Sequence, residues 1–213
     1  MQSRAHKLSV LLAVMGWFAV VMQLVLMILN RTASLAETLT RFFSYFTILT
    51  NLLVSLAFTS LALRQRSKWY SFFSKPTTQT AVTLYILVVG LVYNIVLRAL
   101  WSPAGFQKLT DELLHTIIPL LCLTYWIGFV PKRSLNWKNS FAWLLFPAIY
   151  SLFIGIRGAI SGFYPYPFIN VSELGYPVTL RNGLLLLAFF WGLSLLLIGS
   201  AQLFRMNKKL TQF

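Results

Sequence analysis

The sequence predicts an all-α membrane protein with six transmembrane helices, and three observations lead to this fold class. Hydrophobic residues make up 58% of the 213 residues and charged residues only 10%, a balance that a water-solvated domain of this size does not need. The apolar residues form six long runs, and most Lys and Arg residues lie between these runs. The sequence therefore predicts one six-helix transmembrane bundle over residues 1–213, with short loops and no soluble domain.

The six apolar runs give the predicted spans in chain order. The first covers residues 8–29 and follows a short leader that contains Arg4 and Lys7. Because this run is longer than the roughly 7 to 15 residues of a secretory signal, we interpret it as an uncleaved anchor. The other spans are expected at residues 43–63, 81–100, 113–130, 141–160 and 183–204. Each run approaches or exceeds the length of about 20 residues that crosses a bilayer.

The distribution of basic residues predicts which side of the membrane each loop faces. Lys and Arg are retained on the cytoplasmic side, whereas Asp and Glu matter less. Twelve basic residues fall on the side that carries both termini, and they are Arg4, Lys7, Arg64, Arg66, Lys68, Lys75, Lys132, Arg133, Lys138, Arg205, Lys208 and Lys209. The other side holds all four acids, Glu37, Asp111, Glu112 and Glu173. We therefore expect both termini in the cytoplasm, and membrane lipids rather than nucleic acid as partners of the +14 net charge.

The outer loop expected at residues 161–182 is rich in proline and aromatic residues. These are Pro165, Pro167, Pro177, Phe163, Tyr164, Tyr166, Phe168 and Tyr176. One interpretation is an aromatic belt at the level of the lipid headgroups, where Tyr and Trp are enriched. The other is a cap across the outer mouth of the bundle, in which Tyr166 is a candidate substrate-binding residue.

Polar residues inside the spans are gathered in the outer half of the membrane. Such residues are costly in hydrocarbon, so their positions are informative about function. They are Ser44, Thr47, Thr50 and Asn51 in the second span, Asn94 and Arg98 in the third, Asp111, Glu112 and His115 in the fourth, and Arg157 in the fifth. This convergence predicts one polar pocket that opens outward.

Residue spacing predicts that three helices each present a polar pair on one face, since residues four apart lie on the same side of a helix. The pairs are Thr47 with Asn51, Asn94 with Arg98, and Asp111 with His115. Pro119 has no N–H to bond the carbonyl of His115, so we expect this carbonyl to accept from another partner.

Each polar residue also has a structural interpretation. Thr50 and Asn51 are of the types that hydrogen-bond between membrane helices. His115 has the same alternative, and for Arg98 and Arg157 the alternative is that they extend toward the headgroups. With two His residues and the single Cys122, the chain lacks the ligands for a histidine- or thiolate-rich metal site. No cofactor-binding motif is present either, so we expect neither a metal nor a cofactor.

Three segments resemble the signature regions of the androgen-induced membrane hydrolases. They are residues 45–53 (YFTILTNLL), 115–119 (HTIIP) and 161–168 (SGFYPYPF). The resemblance covers most of the chain in order and is closest to the six-span bacterial relatives of that family. It implies an intramembrane threonine hydrolase of fatty acid esters of hydroxy fatty acids, located in the cytoplasmic membrane of a bacterium. The family's essential threonine and histidine would be Thr47 and His115.

The functional hypothesis is therefore hydrolysis of a lipid ester. Thr47 would attack the ester, His115 would act as base, and Asp111 or Glu112 would orient the imidazole. The remaining candidates would contact the substrate. Arg98 or Arg157 would bind an anionic end, and Asn51 or Asn94 would bind the oxyanion. Tyr166 and Thr50 are further candidate substrate contacts, and Thr50 is also the competing nucleophile. The rival hypothesis is a non-enzymatic lipid-binding or small-molecule carrier protein that uses the same pocket.

Overall fold

A computed structural model describes residues 2–65 and 67–210, with side chains to residue 203. Within these ranges the chain forms helices and no strand, which confirms the all-α prediction. Six helices are long and apolar enough to cross a membrane, namely Gln2–Leu29, Phe46–Leu63, Pro76–Leu100, Gly105–Phe129, Asn139–Ser161 and Val171–Leu203. The chain is thus a multi-pass membrane protein. Arg66 and the side chains of Arg205, Lys208 and Lys209, which entered the orientation argument, lie outside the described residues.

The chain divides into two compact units, one up to Pro131 and one from Lys132 onward. The first unit contains four of the spans. Its helices are α1 (Gln2–Leu29), α2 (Leu35–Phe42), α3 (Phe46–Leu63), α4 (Lys68–Phe73), α5 (Pro76–Val92), α6 (Gly105–Glu112) and α7 (Ile118–Phe129). A π-helix at Tyr93–Leu97 and a 3₁₀ turn at Arg98–Leu100 continue α5, and a π-helix at Leu113–Ile117 joins α6 to α7.

Close packing in the first unit is greatest between α1 and α3. Gly16 permits this approach, because a Cβ there would collide with the hydroxyl of Ser55. Helices α3, α5 and α7 complete the core, and Leu84 of α5 and Ile118 of α7 are fully buried. This core holds the α3, α5 and α7 spans at fixed positions, which determines where their polar ends meet.

A short helix that the sequence analysis did not anticipate precedes the second span. Ser34 caps α2 by accepting from the backbone N–H of Glu37 at 3.2 Å, and Glu37 pairs with Arg41 at 2.7 Å. The S-x-x-E pattern formed by Ser34 and Glu37 is a signal for the start of a helix. It lies between the apolar runs from which the spans were predicted. The span predicted from residue 43 therefore begins at Phe46, after a break.

The second unit contains α8 (Asn139–Trp143), α9 (Leu145–Ser161) and α10 (Val171–Leu210), with a 3₁₀ turn at Pro167–Ile169. The prediction of a loop over residues 161–182 is wrong from residue 171 onward, because those residues are helical. Helix α10 bends at Gly175, whose φ of 71° is left-handed. Pro177 follows the bend, and proline fits the first turn of a helix because its fixed φ is helical and no N–H is needed there.

Other helices begin earlier than their predicted spans, at Gln2, Pro76 and Gly105 instead of residues 8, 81 and 113. Hydropathy marks the apolar stretch that lipid requires, whereas polar residues can continue the same helix beyond it. The cytoplasmic location of the termini stays a prediction.

Candidate functional site

The polar side chains of the first unit meet at one end of three spans. The start of α3, the end of the third span and the start of the fourth span contribute to this polar cluster. It contains Thr47, Thr50 and Asn51 from α3, Tyr93, Asn94 and Arg98 from the third span, and Asp111, Glu112, His115 and Thr116 from the fourth. Seven of the sequence-predicted site residues in this unit are therefore linked by contacts of side chains with one another and with backbone carbonyls, while Thr50 lies beside them on α3.

Two π-helices face the cluster, and the sequence analysis did not predict either. Tyr93–Leu97 carries Asn94, and Leu113–Ile117 carries His115. π-helices are rare in proteins, and those that occur often lie at functional sites. The extra residue in the turn changes the direction of the side chains around it. At this end of the unit the backbone of two spans therefore departs from regular α-helix geometry, and this departure sets the direction of the side chains in the cluster.

The carbonyl of His115 is bonded by a side chain of the neighbouring span. Asn94 Nδ2 donates to this carbonyl at 3.1 Å and to the Gly90 carbonyl at 2.8 Å. Pro119, four residues after His115, has no N–H to offer. The prediction that this carbonyl accepts from another partner is thus confirmed. Gly90 packs directly here, since a Cβ on it would lie 3.0 Å from the His115 carbonyl oxygen and 3.0 Å from Pro119 Cβ.

The imidazole of His115 is held against Asp111. Its Nδ1 lies 2.9 Å from the Asp111 carbonyl oxygen and 3.3 Å from Asp111 Oδ1. The side chains are only 13% and 8% exposed. An Nδ1–H can donate to both acceptors, and this tautomer leaves the lone pair on Nε2. The imidazole is therefore arranged with Nε2 as its basic nitrogen.

Tyr93 contacts both members of this pair. Its hydroxyl donates to Asp111 Oδ2. Its ring lies parallel to the imidazole of His115, with centroids 4.0 Å apart and an interplanar angle of 18°. Tyr93 was not among the predicted site residues, because an aromatic side chain within an apolar run is indistinguishable in sequence from ordinary core. Its one available signal was the adjacent Asn94, which marks that turn of the helix as polar.

Glu112 has a different partner. The guanidinium of Arg98 lies 2.8 Å from the Glu112 carboxylate and also donates to Thr116 Oγ1 at 3.1 Å. The two charged side chains are 43% and 30% exposed. Of the two carboxylates considered for orienting His115, the geometry therefore favours Asp111, and Glu112 balances Arg98. The Arg98 guanidinium also lies 5.4 Å from the centroid of the Tyr93 ring.

Helix α3 forms another side of the cluster. Asn51 Nδ2 donates to the carbonyl of Thr47 at 2.9 Å and to that of Leu114 at 3.3 Å. The described contacts therefore link Thr47 to His115 indirectly, through Asn51 and the residue before the histidine. Thr47 is 9% exposed. Thr50 Oγ1 and Asn51 Oδ1 are fully buried and have no hydrogen-bond partner within the described part of the chain.

The first span also reaches this end of the unit. Gln107 Nε2 donates to Gln23 Oε1 at 3.0 Å, and Gln107 precedes Asp111 by one helical turn. Neither glutamine was among the predicted site residues. An uncharged amide inside the first apolar run was a usable signal. Ser44, predicted in the second span, lies in the turn between α2 and α3 and donates to the Thr40 carbonyl at 2.6 Å.

Arg157 and Tyr166 belong to the second unit, where they contact the aromatic segment of residues 162–170. The guanidinium of Arg157 donates to the Phe163 carbonyl at 3.3 Å and lies 4.7 Å from the centroid of the Phe163 ring. The Tyr164 ring covers Gly158 so closely that a Cβ there would collide with it. Tyr166 stacks on Phe168, with centroids 5.3 Å apart. The segment is thus folded onto its own unit, and both interpretations of it, belt and cap, stay open.

Within residues 2–65 and 67–210, no group of three or more His, Cys, Asp or Glu side chains is arranged to hold a metal ion. Comparisons with protein-family models, with curated proteins and with solved structures gave no match to this chain. The family resemblance therefore stays a prediction, and the functional argument rests on the polar cluster itself.

Proposed function

We propose that the protein is an intramembrane hydrolase of lipid esters, with Thr47 as the nucleophile and His115 as the general base. The observation that best supports this proposal is the contact between His115 and Asp111, in which Nδ1 lies 3.3 Å from Oδ1 at a nearly buried position. A base oriented by a third group is the arrangement that activates a hydroxyl nucleophile. Here the free nitrogen of that base is Nε2.

The reaction would proceed through an acyl-enzyme. His115 Nε2 accepts the proton of Thr47 Oγ1 while this oxygen attacks the ester carbonyl carbon. The bond from that carbon to the alcohol oxygen then breaks, and His115 gives its proton to the departing alcohol. Water attacks the acyl group on Thr47, again losing a proton to His115, which returns it to Thr47 Oγ1 as the carboxylic acid leaves.

The surroundings of the cluster favour a fatty-acyl substrate with an anionic end. The reacting groups lie at the ends of apolar spans, where an acyl chain is soluble. Arg98 uses one nitrogen for Glu112 and Thr116, and its planar guanidinium has further donors for a substrate carboxylate. The proposal places the enzyme in the cytoplasmic membrane of a bacterium.

The two asparagines are better suited to holding the helices than to binding an oxyanion. The amide group of Asn51 donates to two carbonyls, and so does that of Asn94. An amide nitrogen has two hydrogens. Because both donors of each side chain are already used, stabilisation of the oxyanion is assigned to neither of them in this proposal.

The choice of nucleophile is supported by the position of Asn51. Thr47 precedes Asn51 by one turn and shares the helix face that contacts Leu114. Thr47 lies about 40° around the helix from Asn51, whereas Thr50 lies about 100° from it, since successive residues of an α-helix are about 100° apart. Thr47 is accordingly the better placed hydroxyl.

A fluorophosphonate probe tests the proposal, because it reacts covalently with an activated hydroxyl. We expect labelling of the wild-type protein in mild detergent, loss of labelling in Thr47→Ala and retained labelling in Thr50→Ala. Mass spectrometry of the labelled peptide identifies the modified oxygen. Labelling that survives in Thr47→Ala would contradict the assignment of the nucleophile.

The second candidate function is lipid or small-molecule binding without chemistry. The unpartnered, fully buried oxygens of Thr50 and Asn51 favour it, because such atoms are commonly satisfied by a bound molecule or a water. This candidate predicts no labelling at all in a folded sample, together with retained binding of a fatty-acyl ligand in Thr47→Ala.

A further inference from the structure

We infer that Tyr93 is a positioning residue that holds His115 and Asp111 in one arrangement. The effect on catalysis rests on the proposed function, whereas the effect on the imidazole itself does not. Tyr93 comes from a different span than the pair it contacts and is 5% exposed. Tyr93 therefore connects the third span to His115, the proposed general base, on the fourth span.

The hydroxyl of Tyr93 restrains the carboxylate. Asp111 and His115 are one turn apart on the same stretch of helix, and the imidazole Nδ1 lies 2.9 Å from the Asp111 backbone carbonyl and 3.3 Å from the carboxylate oxygen Oδ1. Without another contact the carboxylate could rotate away from Nδ1. The Tyr93 hydroxyl donates to the second oxygen, Oδ2, and so keeps Oδ1 turned toward the ring.

The ring of Tyr93 restrains the imidazole. With centroids 4.0 Å apart and planes 18° from parallel, it covers one face of the His115 ring. Rotation of the imidazole about its bond to Cβ would push one ring into the other. The hydroxyl and the ring of one side chain therefore fix the two partners separately. By holding Oδ1 at Nδ1, Tyr93 adds to the preference for hydrogen on Nδ1 that the Asp111 backbone carbonyl provides at 2.9 Å.

The stacked ring also faces the positive charge that His115 acquires during ester attack. A cation within about 6 Å of an aromatic centroid is attracted to the face of the ring. During ester attack His115 carries a positive charge that the resting imidazole lacks, so this attraction strengthens only as the reaction proceeds. Arg98 also lies near the Tyr93 ring, at 5.4 Å, but the carboxylate of Glu112 at 2.8 Å balances its charge.

Two variants separate the contributions of Tyr93. Tyr93→Phe removes the hydrogen bond to Asp111 and keeps the stacked ring, whereas Tyr93→Leu removes both. Tyr85→Phe is the matched control, because Tyr85 is a second buried tyrosine on the same span, eight residues earlier. All proteins carry His6→Gln, so that His115 gives the only histidine signals.

The test is nitrogen NMR of ¹⁵N-histidine-labelled protein in detergent micelles, which reads the tautomer directly. For the wild type and Tyr85→Phe we expect one neutral tautomer with hydrogen on Nδ1. For Tyr93→Phe we expect a minor population of the other tautomer, because the Asp111 carbonyl at 2.9 Å still accepts from Nδ1, and for Tyr93→Leu a freely averaged ring. The corresponding losses in kcat are expected to be about tenfold and about 100-fold, with KM changed less than about threefold.

The two readouts distinguish the possible failures. A wild-type tautomer in Tyr93→Leu would overturn the inference whatever the activity is. If that variant does not fold, an unchanged tautomer and unchanged kcat in Tyr93→Phe would overturn it instead. A shifted tautomer in a protein whose wild type hydrolyses no ester would sustain the positioning role and refute the hydrolase proposal.

Discussion

Gly90→Ala should destabilise the first unit and slow hydrolysis, because Gly90 lies where the third span touches the histidine segment. A Cβ at this position would be 3.0 Å from the His115 carbonyl oxygen, 3.0 Å from Pro119 Cβ and 3.2 Å from Pro119 Cγ. Backbone and a proline ring cannot rotate away as a flexible side chain can. The third span must therefore shift by a few tenths of an ångström, and Asn94, one turn further on, moves with it.

The expected magnitude has two parts. Overpacking by one methyl group costs about 1–3 kcal/mol. Loss of the 3.1 Å bond from Asn94 to the His115 carbonyl adds about 0.6 kcal/mol, the typical value for a hydrogen bond between membrane helices. Alanine also has a higher helix propensity than glycine by up to about 1 kcal/mol, which opposes both terms.

Gly128→Ala is the control that cancels the propensity term. Gly128 lies in α7 of the same unit, and a Cβ there would meet nothing within 4 Å. The free energies of unfolding, measured by titration of mixed micelles with SDS, should differ between the two variants by roughly 1.6–3.6 kcal/mol. If Gly90→Ala is as stable and as active as Gly128→Ala, the packing account of this contact is wrong.

Three further perturbations test other parts of the structure. Asp111→Asn should lower kcat at least tenfold, whereas Glu112→Gln should change it by less than about fivefold, since only the former touches the imidazole. Gly158→Ala should displace the Tyr164 ring and raise the rate at which protease cleaves the aromatic segment of residues 162–170. A cysteine placed at Ser71, on the side predicted to be cytoplasmic, should be labelled by an impermeant maleimide only in opened cells.

Each of these comparisons has its own control. Equal losses in the Asp111 and Glu112 variants would remove the distinction between the two carboxylates. Gly155→Ala, one turn before Gly158 with nothing within 4 Å of its Cβ, should leave cleavage unchanged. A cysteine at Lys108 in a protein lacking Cys122 should be labelled in intact cells, and the opposite pattern at both sites would reverse the predicted orientation.

The fold was predictable from the sequence because a bilayer imposes a length. Each span needs about 20 apolar residues, and the six runs meet this requirement without help from tertiary contacts. Helix ends were less predictable, since residues such as those at Gly105–Glu112 are polar and still helical. The bend at Gly175 depends on a left-handed backbone that hydropathy does not register.

Within the site, local spacing predicted more than composition did. The contact of Asp111 with His115 follows from their separation by one turn, and the free carbonyl of His115 follows from Pro119. The choice between the adjacent carboxylates was not predictable, because neighbours on a helix point about 100° apart and their partners come from another span. Tyr93 was not predictable for the same reason, because its contacts with Asp111 and His115 are made between two spans.

The measurement that tests the account most directly is turnover of a long-chain ester by His115→Gln. Glutamine keeps a hydrogen-bond donor for Asp111, but its neutral amide cannot act as a general base. We predict that the variant keeps nearly the thermal stability of the wild type, because the glutamine amide can still donate to Asp111 and the loss of one hydrogen bond in a membrane protein costs only about 0.6 kcal/mol. Hydrolysis should fall at least about 100-fold, the lower end of a general-base contribution. A stable variant that turns over at the wild-type rate would remove His115 from the mechanism and contradict the assignment of this polar cluster as a hydrolase site.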